Sequence, residues 1–509
     1  MKNSLPTARS CPRRSRGWVG LLLFAGLAAA GSMLGATAQV LILHTNDLHD
    51  HLRPGVYGQG GLPYVAGYIA QVRAERPDVL VLDAGDVTEK GDMVAFKAGH
   101  RMTYEALRRI GYDAVTIGNH DYDAGVEALH TYEQVLGQSL VCLNFTKPDG
   151  TAEFTPSRVV KVGGLRIGII GMIVPQEKTG MDFDESGRAL AREAERLRPE
   201  TDLLVALCHE SSAKCARWSR LAPLVDVFVS GHSHELLTAP VIVPGTGARI
   251  VQAGYYARWV GRLELTVDLE TKKVVQATGE VIPLMHDRIP VDAAMLAWVR
   301  QREQELCPEA DDVLMDNPES LTMEEVGWLG AAALRRQAQV DVGFCHAGQI
   351  IRSPIFAGPL DVNALFLAGG DRANANVRTE LTGAEIEAYL HALGAKRDPT
   401  CWSGFRAVAG PGGSGHFATD LEPARSYTVI MPAKEWETRF LRAAAKARDA
   451  HLDGPLTRRP FVATPAPAVS FTDAMRAYVE EQAAAKRSLK AEAARLAAAA
   501  GERPAARAH

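Results

Sequence analysis

The sequence predicts an α/β protein in which short buried strands alternate with helices. Short apolar runs recur between residue 39 and about residue 285, and amphipathic helical patterns lie between them. The chain has 509 residues, of which 47% are hydrophobic and 23% are charged. This composition is typical of a soluble globular chain with two or three domains, and it argues against a disordered, collagenous or polytopic membrane protein.

The first 38 residues have the layout of a secretory signal peptide. Five positive charges precede an apolar run from Trp18 to Ala30, and Ala36-Thr37-Ala38 supplies the small residues of a cleavage site. We therefore expect a periplasmic or secreted protein whose mature form begins at residue 39. An uncleaved membrane anchor is the alternative, because the apolar run is nearly long enough to span a bilayer. The pair Arg13-Arg14 also leaves twin-arginine export open.

Charge and cysteine content restrict the partners of the protein. The formal net charge is −4, and removal of the five positive charges of the leader would take it to −9, so we expect no nucleic-acid polymer as a partner. Six cysteines would remain after export, namely Cys142, Cys208, Cys215, Cys307, Cys345 and Cys401. Their wide spacing fits no disulfide framework or zinc knuckle. A local pair of Cys208 with Cys215 and two buried thiols both stay open.

The elements of the first domain follow one another in a regular order. Helical patterns at 65–75 and 104–110 separate some of the strands, and alternating apolar and polar residues at 262–268 predict a half-exposed antiparallel strand. The predicted buried strands are 40–43, 79–82, 114–117, 165–170, 203–207 and 225–229.

The remaining chain divides into three parts. We expect the first domain to cover 39–290, a helical linker to cover 291–319, and a second, smaller mixed domain to cover 320–475. The tail, 476–509, is rich in Ala, Glu, Lys and Arg, which predicts a single solvated helix with a frayed end.

Polar residues collect where the predicted strands end, which is the edge at which an open α/β sheet binds its ligands. Asp47 and His49 are two residues apart, so in extended backbone both side chains would point to one side, and His232 and His234 repeat this spacing. Carboxylate, amide and imidazole donors together suit Mn, Zn, Fe or Co, and seven are too many for one tetrahedral zinc. They favour a two-metal site. These donors form five clusters, at residues 44–51, 83–86, 118–123, 208–210 and 231–234.

These motifs resemble the calcineurin-like binuclear metallophosphatases and, within them, the secreted 5′-nucleotidase family. The resemblance covers nearly the whole stretch from 40 to 270. It implies a first domain of two packed sheets flanked by helices, an α/β/β/α sandwich, and a smaller α/β C-terminal domain that binds substrate. The motifs that carry it are Thr45-Asn-Asp-Leu-His49, Gly85-Asp86, Gly118-Asn-His-Asp-Tyr-Asp123, His209 and Gly231-His-Ser-His234.

The resemblance also implies a role for each residue. Asp47, His49 and His234 would hold one divalent cation, and Asn119, His209 and His232 a second, with Asp86 between them. The cations would be Mn, Zn, Co, Fe or Ca, and they would activate a water for in-line attack on phosphorus. His120, paired with Asp123, would lie near the scissile phosphate and stabilise charge on a phosphoryl or leaving oxygen.

The second domain matches the family less closely. The segment from His346 to Arg352 resembles a nucleotide-contacting turn whose asparagine and one glycine are replaced here, and the resemblance implies that Arg352 contacts substrate. The family segment that supplies a base-stacking aromatic has no counterpart. Phe405 and Trp436 are candidates for stacking or, alternatively, for packing. Arg397 and Arg406 are candidate anion contacts or, alternatively, solvated surface residues.

The expected function is metal-dependent hydrolysis of a small phosphoester, with a nucleoside 5′-monophosphate converted to nucleoside and phosphate. Cyclic-nucleotide phosphodiesterases, nucleotide-sugar or dinucleotide pyrophosphohydrolases and thiosulfate-ester hydrolases share this scaffold and are the alternatives. The segment Gly118-Asn-His-Asp121 resembles the nucleotidases more than the thiosulfate-ester hydrolases. A binding protein without turnover is a further alternative, but it would leave the ligand set without a reason.

Overall fold

The computed structural model describes residues 36–55, 58–369, 375–394, 400–409 and 417–501. The predicted leader therefore lies almost wholly outside the described residues, as does Arg397. Within the described part of the chain, no helix has the length and apolar character needed to span a lipid bilayer.

The first domain contains strands at or next to every predicted position. Its strands are β1 (Thr37–Thr45), β2 (Val79–Asp83), β3 (Ala114–Val115), β4 (Ser157–Val162), β5 (Leu165–Ile173), β6 (Leu203–His209), β7 (Val227–Ser230), β8 (Val241–Ile242), β9 (Arg249–Val251), β10 (Trp259–Asp268) and β11 (Lys273–Pro283). Its helices are α1 (Leu62–Glu75), α2 (Met93–Lys97), α3 (Arg101–Ile110), α4 (Val126–Leu136), α5 (Phe183–Leu197) and α6 (Ser212–Leu221).

These strands form two sheets. The first has the order β11-β10-β1-β2-β3, in which β1, β2 and β3 are parallel and β10 runs antiparallel to β1. The second has the order β4-β5-β6-β7-β9-β8, in which β5, β6, β7 and β9 are parallel. Parallel strands end at the same edge of their sheet, so the loops that follow them lie together.

Side-chain alternation along β1 explains how the two sheets pack. Val40 and Ile42 belong to one apolar cluster with residues of β5 and β6 such as Ile167 and Val205, so the sheets face each other there. Leu41 points the other way, into a cluster with α1, α3 and α4. A third cluster joins the outer face of the second sheet to α5 and α6. The expected α/β/β/α sandwich is confirmed.

A linker helix leads into the second domain. This helix, α7 (Ala293–Leu306), packs on α1 of the first domain. The later strands are β12 (Val313–Asn317), β13 (Val342–His346), β14 (Gly358–Asp361), β15 (Asn376–Thr382), β16 (Thr400–Ser403), β17 (Ala407–Ala409), β18 (Phe417–Thr419), β19 (Ser426–Pro432) and β20 (Thr464–Pro465). The helices are α8 (Met323–Ala338), α9 (Val362–Ala368), α10 (Gly383–Leu393), α11 (Ala433–Glu435), α12 (Leu441–Asp449), α13 (Phe471–Ala484) and α14 (Leu489–Ala500), and the largest sheet has the order β16-β13-β19-β15-β20.

The tail differs from the single solvated helix that the sequence predicts. It forms two helices, α13 and α14, which both pack on α8 and bury Phe471, Met475, Val479 and Leu489 in the core of the second domain. The helical path is interrupted between them at Lys486, whose φ is 53°, and α14 then begins after a Ser488 cap. The charged composition concealed an apolar stripe at helical spacing, and small alanines let the helices approach closely.

Candidate metal centre

The candidate ligands all follow parallel strands at one edge of the sandwich. β1 ends two residues before Asp47, β2 ends three residues before Asp86, and β7 ends two residues before His232. His209 is itself the last residue of β6. Since both sheets present their carboxyl ends at this edge, the fold brings together residues that are far apart in sequence.

The backbone at the ligands is not extended, as the spacing argument assumed. Asp47, His49, Asp86, His232 and His234 have φ values of 51°, 47°, 54°, 68° and 57°, in the left-handed region that non-glycine residues rarely occupy. The same-side expectation from extended backbone is therefore wrong in its reason: Asp47 and His49 do converge on one group, whereas His232 and His234 belong to different groups. Backbone strain of this kind concentrates at functional sites, where surrounding contacts hold it.

Backbone hydrogen bonds hold these loops in place. The Asp47 N–H donates to the Gly85 carbonyl at 2.9 Å, and the His49 N–H donates to the Asp86 carbonyl at 3.0 Å. The Asp121 carboxylate accepts from the backbone N–H groups of Asp86 at 2.9 Å and Gly118 at 2.8 Å. The loops after β1, β2 and β3 are thus fastened to one another.

The first group of candidate ligands consists of Asp47, His49 and His234. One donor atom from each lies within 4.8 Å of the others. His49 Nε2 is 3.1 Å from His234 Nε2 and 3.6 Å from Asp47 Oδ1, and His234 Nε2 is 3.4 Å from that same oxygen. Two imidazole nitrogens and a carboxylate oxygen therefore surround one point.

The second group consists of Asp86, His209 and His232, whose donor atoms also lie within 4.8 Å of one another. Asp86 Oδ2 is 3.1 Å from His209 Nε2 and 3.8 Å from His49 Nε2, so this oxygen lies between the two groups. The side-chain oxygen of Asn119 is buried and has no hydrogen-bond partner among the described residues. An unpaired buried acceptor is costly unless a ligand satisfies it.

The histidine tautomers and charges also fit a cation. The His209 Nδ1–H donates to the Ala84 carbonyl at 2.9 Å, so in the neutral imidazole Nε2 would offer its lone pair to a cation. Burial alone would lower the pKa of His209, but the negative charges of Asp86 and Asp47 outweigh it and raise the pKa to about 10. The imidazole thus takes up a positive charge beside the acids when no cation is present. This donor set fits a pair of divalent cations.

His120 and Asp123 form a hydrogen-bonded pair beside the two groups. His120 Nδ1 lies 3.0 Å from Asp123 Oδ2, and its ring meets that of His49 edge to face at 5.4 Å. The backbone N–H of His120 donates to Asp86 Oδ1 at 2.9 Å. Both side chains of the pair reach solvent, so His120 can meet a small molecule at the edge of the cleft.

The candidate substrate-contacting residues have different environments in the structure. Arg352 reaches across to the first domain and pairs with Glu89 at 2.7 Å. Phe405 and Trp436 are core side chains of the second domain: Phe405 stacks on Trp402 and Trp436 on Phe440, so packing accounts for both. Arg406 has an exposed side chain, and its backbone N–H donates to Asp420.

Three residues near the site escaped the sequence reasoning. Glu89 and Tyr256 face Arg352, and Asp121 holds the Asp86 loop. Asp121 belongs to the motif at 118–123, and Glu89 follows Asp86 by three residues. Their closeness to predicted ligands in the sequence was a signal, although neither residue type by itself indicated a role. The six described cysteines are all free and buried, which supports the thiol interpretation over a Cys208–Cys215 pair.

Comparisons with known proteins agree with this geometry. A model of the calcineurin-like phosphoesterase family matches residues 40–236. The mouse 5′-nucleotidase is 27% identical over 302 residues, which cover 52% of this chain and 52% of that protein. Endonuclease YhcR of Bacillus subtilis is 24% identical over 404 residues, which cover 69% of this chain and 32% of that protein. The chain thus spans about a third of one of these curated relatives and about half of the other.

Solved structures show the same fold. The 5′-nucleotidase precursor of Thermus thermophilus superposes with a TM-score of 0.69 at 22% identity, over 87% of this chain and 96% of that one. Sulfate thiohydrolase SoxB of Thermus thermophilus gives a TM-score of 0.64 at 16% identity, over 91% and 95%.

The first domain has the fold and the donor groups of a metal-dependent phosphoesterase, and residues 40–236 match the calcineurin-like phosphoesterase family. The chain is similar to 5′-nucleotidases in sequence and in fold.

Proposed function

We propose that this protein is an exported 5′-nucleotidase that converts a nucleoside 5′-monophosphate and water to a nucleoside and phosphate. The observation that carries the proposal is the pair of ligand groups that share Asp86, with the His120–Asp123 pair beside them. The names of the mouse and Vibrio cholerae relatives, both 5′-nucleotidases, support this substrate class.

The proposed roles of the ligands follow the two groups. Asp47, His49 and His234 would hold one cation, and His209 and His232, together with the unpaired Asn119 oxygen, would hold the other, with Asp86 serving both. Two divalent cations in such a site neutralise phosphate charge and lower the pKa of a bound water. Every one of these side chains offers a hard oxygen or an imidazole nitrogen, which suits Mn, Zn, Co or Fe, and the oxygens also suit Ca.

His120 and Asp123 then act on the leaving group. Asp123 accepts from the Nδ1–H of the imidazole and fixes the ring, and it favours the doubly protonated form, in which Nε2 also carries a proton that faces the substrate. That proton stabilises negative charge on a phosphoryl oxygen and reaches the leaving oxygen as the ester bond breaks. The chain supplies no covalent step in this scheme, and the phosphoryl group passes directly to water.

A substrate panel on the mature chain tests the proposal. We would express residues 39–509, remove metal with a chelator, restore Mn²⁺, Zn²⁺, Co²⁺ or Ca²⁺, and assay AMP, UDP-glucose, 2′,3′-cyclic AMP and a thiosulfate ester. Metal-dependent phosphate release from AMP is the expected result. Turnover of another substrate alone would assign the chain to one of the related activities, and no turnover of any would favour a binding protein.

Export is a separate part of the proposal, which rests on the amino-terminal sequence. Expression of the whole chain in a bacterium with a periplasm, followed by mass determination of the purified protein, would show whether it begins at Gln39. Recovery of the intact chain in the membrane fraction would instead indicate an uncleaved anchor.

A further inference from the structure

Glu89 lies where the metal centre, the His120 pair and the second domain meet. It belongs to the loop between β2 and α2, three residues after Asp86, and is 9% exposed. Its Oε2 atom lies 3.1 Å from His49 Nδ1, and its Oε1 atom lies 2.7 Å from an Arg352 guanidinium nitrogen and 3.7 Å from His120 Nε2. One buried carboxylate therefore faces three groups that the proposed function uses.

The contact with His49 involves the ring nitrogen that faces away from the first ligand group. Nε2 points toward Asp47 and His234, and Nδ1 points toward Glu89. Nδ1 has no hydrogen bond of standard geometry among the described residues, and its 3.1 Å contact with Glu89 is an ionic one. A carboxylate on the outer nitrogen of a metal-binding histidine fixes its tautomer, orients the ring and makes it a stronger ligand.

The contact with Arg352 crosses the domain interface. Arg352 belongs to the turn after β13, where its backbone N–H donates to the Ala368 carbonyl at 2.8 Å, and its guanidinium also faces Tyr256. A largely buried guanidinium is stable only when an anion pairs with it, and Glu89 supplies that charge. The pair fixes the direction in which the remaining guanidinium N–H groups point.

The rest of the loop keeps Glu89 in this place. Lys90 donates to the carbonyls of Phe366 and Gly369. Asn363 of α9 donates to Asp92 at 2.9 Å and accepts from the Met93 N–H at 2.8 Å. The segment that follows Asp86 is thus docked on the second domain by several polar contacts in sequence.

We propose that Glu89 is a positioning residue which, given the function proposed above, orients His49 for the first cation and Arg352 for the substrate at the same time. This single carboxylate thus contacts both the metal centre of the first domain and Arg352 of the second. Glu89 itself touches neither substrate nor the reacting atoms.

Metal titration of the mature chain tests this assignment without any need for turnover. Zn²⁺ or Mn²⁺ is titrated against a chromogenic chelator for the wild type and for Glu89→Gln, and we expect the variant to bind one cation about ten- to a hundredfold more weakly. Arg352→Gln should leave metal affinity within about twofold of wild type. Glu153→Gln is the matched control, because Glu153 also faces an imidazole, that of His130 at 3.0 Å, outside both ligand groups.

Kinetics with p-nitrophenyl phosphate as the probe provide the second readout. Glu89→Gln should lower kcat and raise KM together, whereas Arg352→Gln should mainly raise KM, and the double variant should lose less than the product of the two single losses. If Glu89→Gln fails to fold, Glu89→Asp keeps the charge with a shorter reach and should show a smaller loss of metal affinity. A folded variant with wild-type metal affinity would overturn the assignment, whereas metal binding without turnover in the wild type would overturn only the nucleotidase proposal.

Discussion

The Asp86 carboxylate lies 3.1 Å from His209 Nε2, and the opposite nitrogen of the same ring is hydrogen-bonded to the Ala84 carbonyl. Ala84 and Asp86 flank a single glycine, so one tight turn both supplies the carboxylate and sets the tautomer of the histidine that faces it. The first sheet thereby orients the ring of His209, a candidate ligand at the end of a strand in the second sheet.

Asp86→Asn should remove this relationship. The amide keeps the shape of the side chain but loses the negative charge between the two groups, so we expect metal content to fall and activity to drop by more than about a hundredfold, beyond the loss typical of outer-shell changes. Elemental analysis and phosphate release measure the two effects. Asp287→Asn, at an exposed position, is the control; full metal content in Asp86→Asn would refute the shared-ligand role.

His120→Asn should separate chemistry from metal binding. We expect metal content to stay at the wild-type level while kcat falls about 10²- to 10⁴-fold, because the proton donor to the leaving group is lost. His130→Asn is the matched control, since His130 also pairs through Nδ1 with a nearby acid, Glu133 at 2.9 Å. Equal rates for wild type and His120→Asn would show that the pair has no part in turnover.

Gly118→Ala should damage the metal centre through the backbone alone. A Cβ atom at this position would lie 2.0 Å from Asp86 Oδ1 and 2.2 Å from Asp86 N, so the loop must shift. We expect weaker metal binding with little change in global stability, measured by metal titration and thermal melting. Gly454→Ala, where a Cβ meets no atom within 4 Å, should behave as wild type.

Trp436→Ala should affect stability rather than substrate binding. Trp436 is 6% exposed and stacks on Phe440 at 4.7 Å in the core of the second domain. We expect the free energy of unfolding to fall by about 3–5 kcal/mol, as for other buried large-to-small changes, with KM for AMP unchanged. A several-fold rise in KM in a variant of normal stability would instead support a base-stacking role.

Glu435→Gln should flatten the pH dependence of stability. Burial raises the pKa of Glu435 to about 8, against the opposing charge of Arg439, so between about pH 5 and 8 the folded protein holds a proton that the unfolded chain has released. The free energy of unfolding should therefore decrease as pH rises through this window, by up to about 1.4 kcal/mol per pH unit, and level off above pH 8.

Urea denaturation at several pH values checks this expectation. Glu435→Gln should show a shallower downward slope than the wild type and exceed it in stability at pH 8.5, while Asp83 and Glu303, whose pKa values are also raised by burial, supply the remaining slope. Glu437→Gln, on an exposed neighbour, should keep the wild-type slope. A wild-type profile without any slope in this window would contradict a protonated Glu435.

The sequence predicted the alternation of strands and helices well, because apolar runs such as 79–82 and 203–207 are short, fully buried and separated by helical patterns. The packing of two sheets into a sandwich was implied by the family resemblance. The sequence also predicted which residues gather at the strand ends. It could not predict their backbone: Asp47 and His49 have a left-handed conformation and are held by hydrogen bonds to a loop that is distant in sequence. Glu89 was missed for a related reason, since its partner Arg352 is 263 residues away.

The second domain was harder to predict because its polar composition hides what is buried. The tail has few large apolar residues, yet Phe471 and Leu489 are completely covered by α8 and its neighbours. Trp436 and Phe405 have the residue type of a stacking platform, but only three-dimensional packing distinguishes a platform from a core residue.

The left-handed backbone at five candidate ligands restricts what these positions can become by mutation. Glycine, asparagine and aspartate adopt that conformation at the lowest cost, whereas valine, isoleucine and threonine adopt it with difficulty. A deep mutational scan should therefore show two separate effects of substitution at these sites, one on activity and one on the amount of folded protein. Activity should disappear with any residue that cannot bind a cation, and the amount of folded protein should fall further wherever the replacement is β-branched.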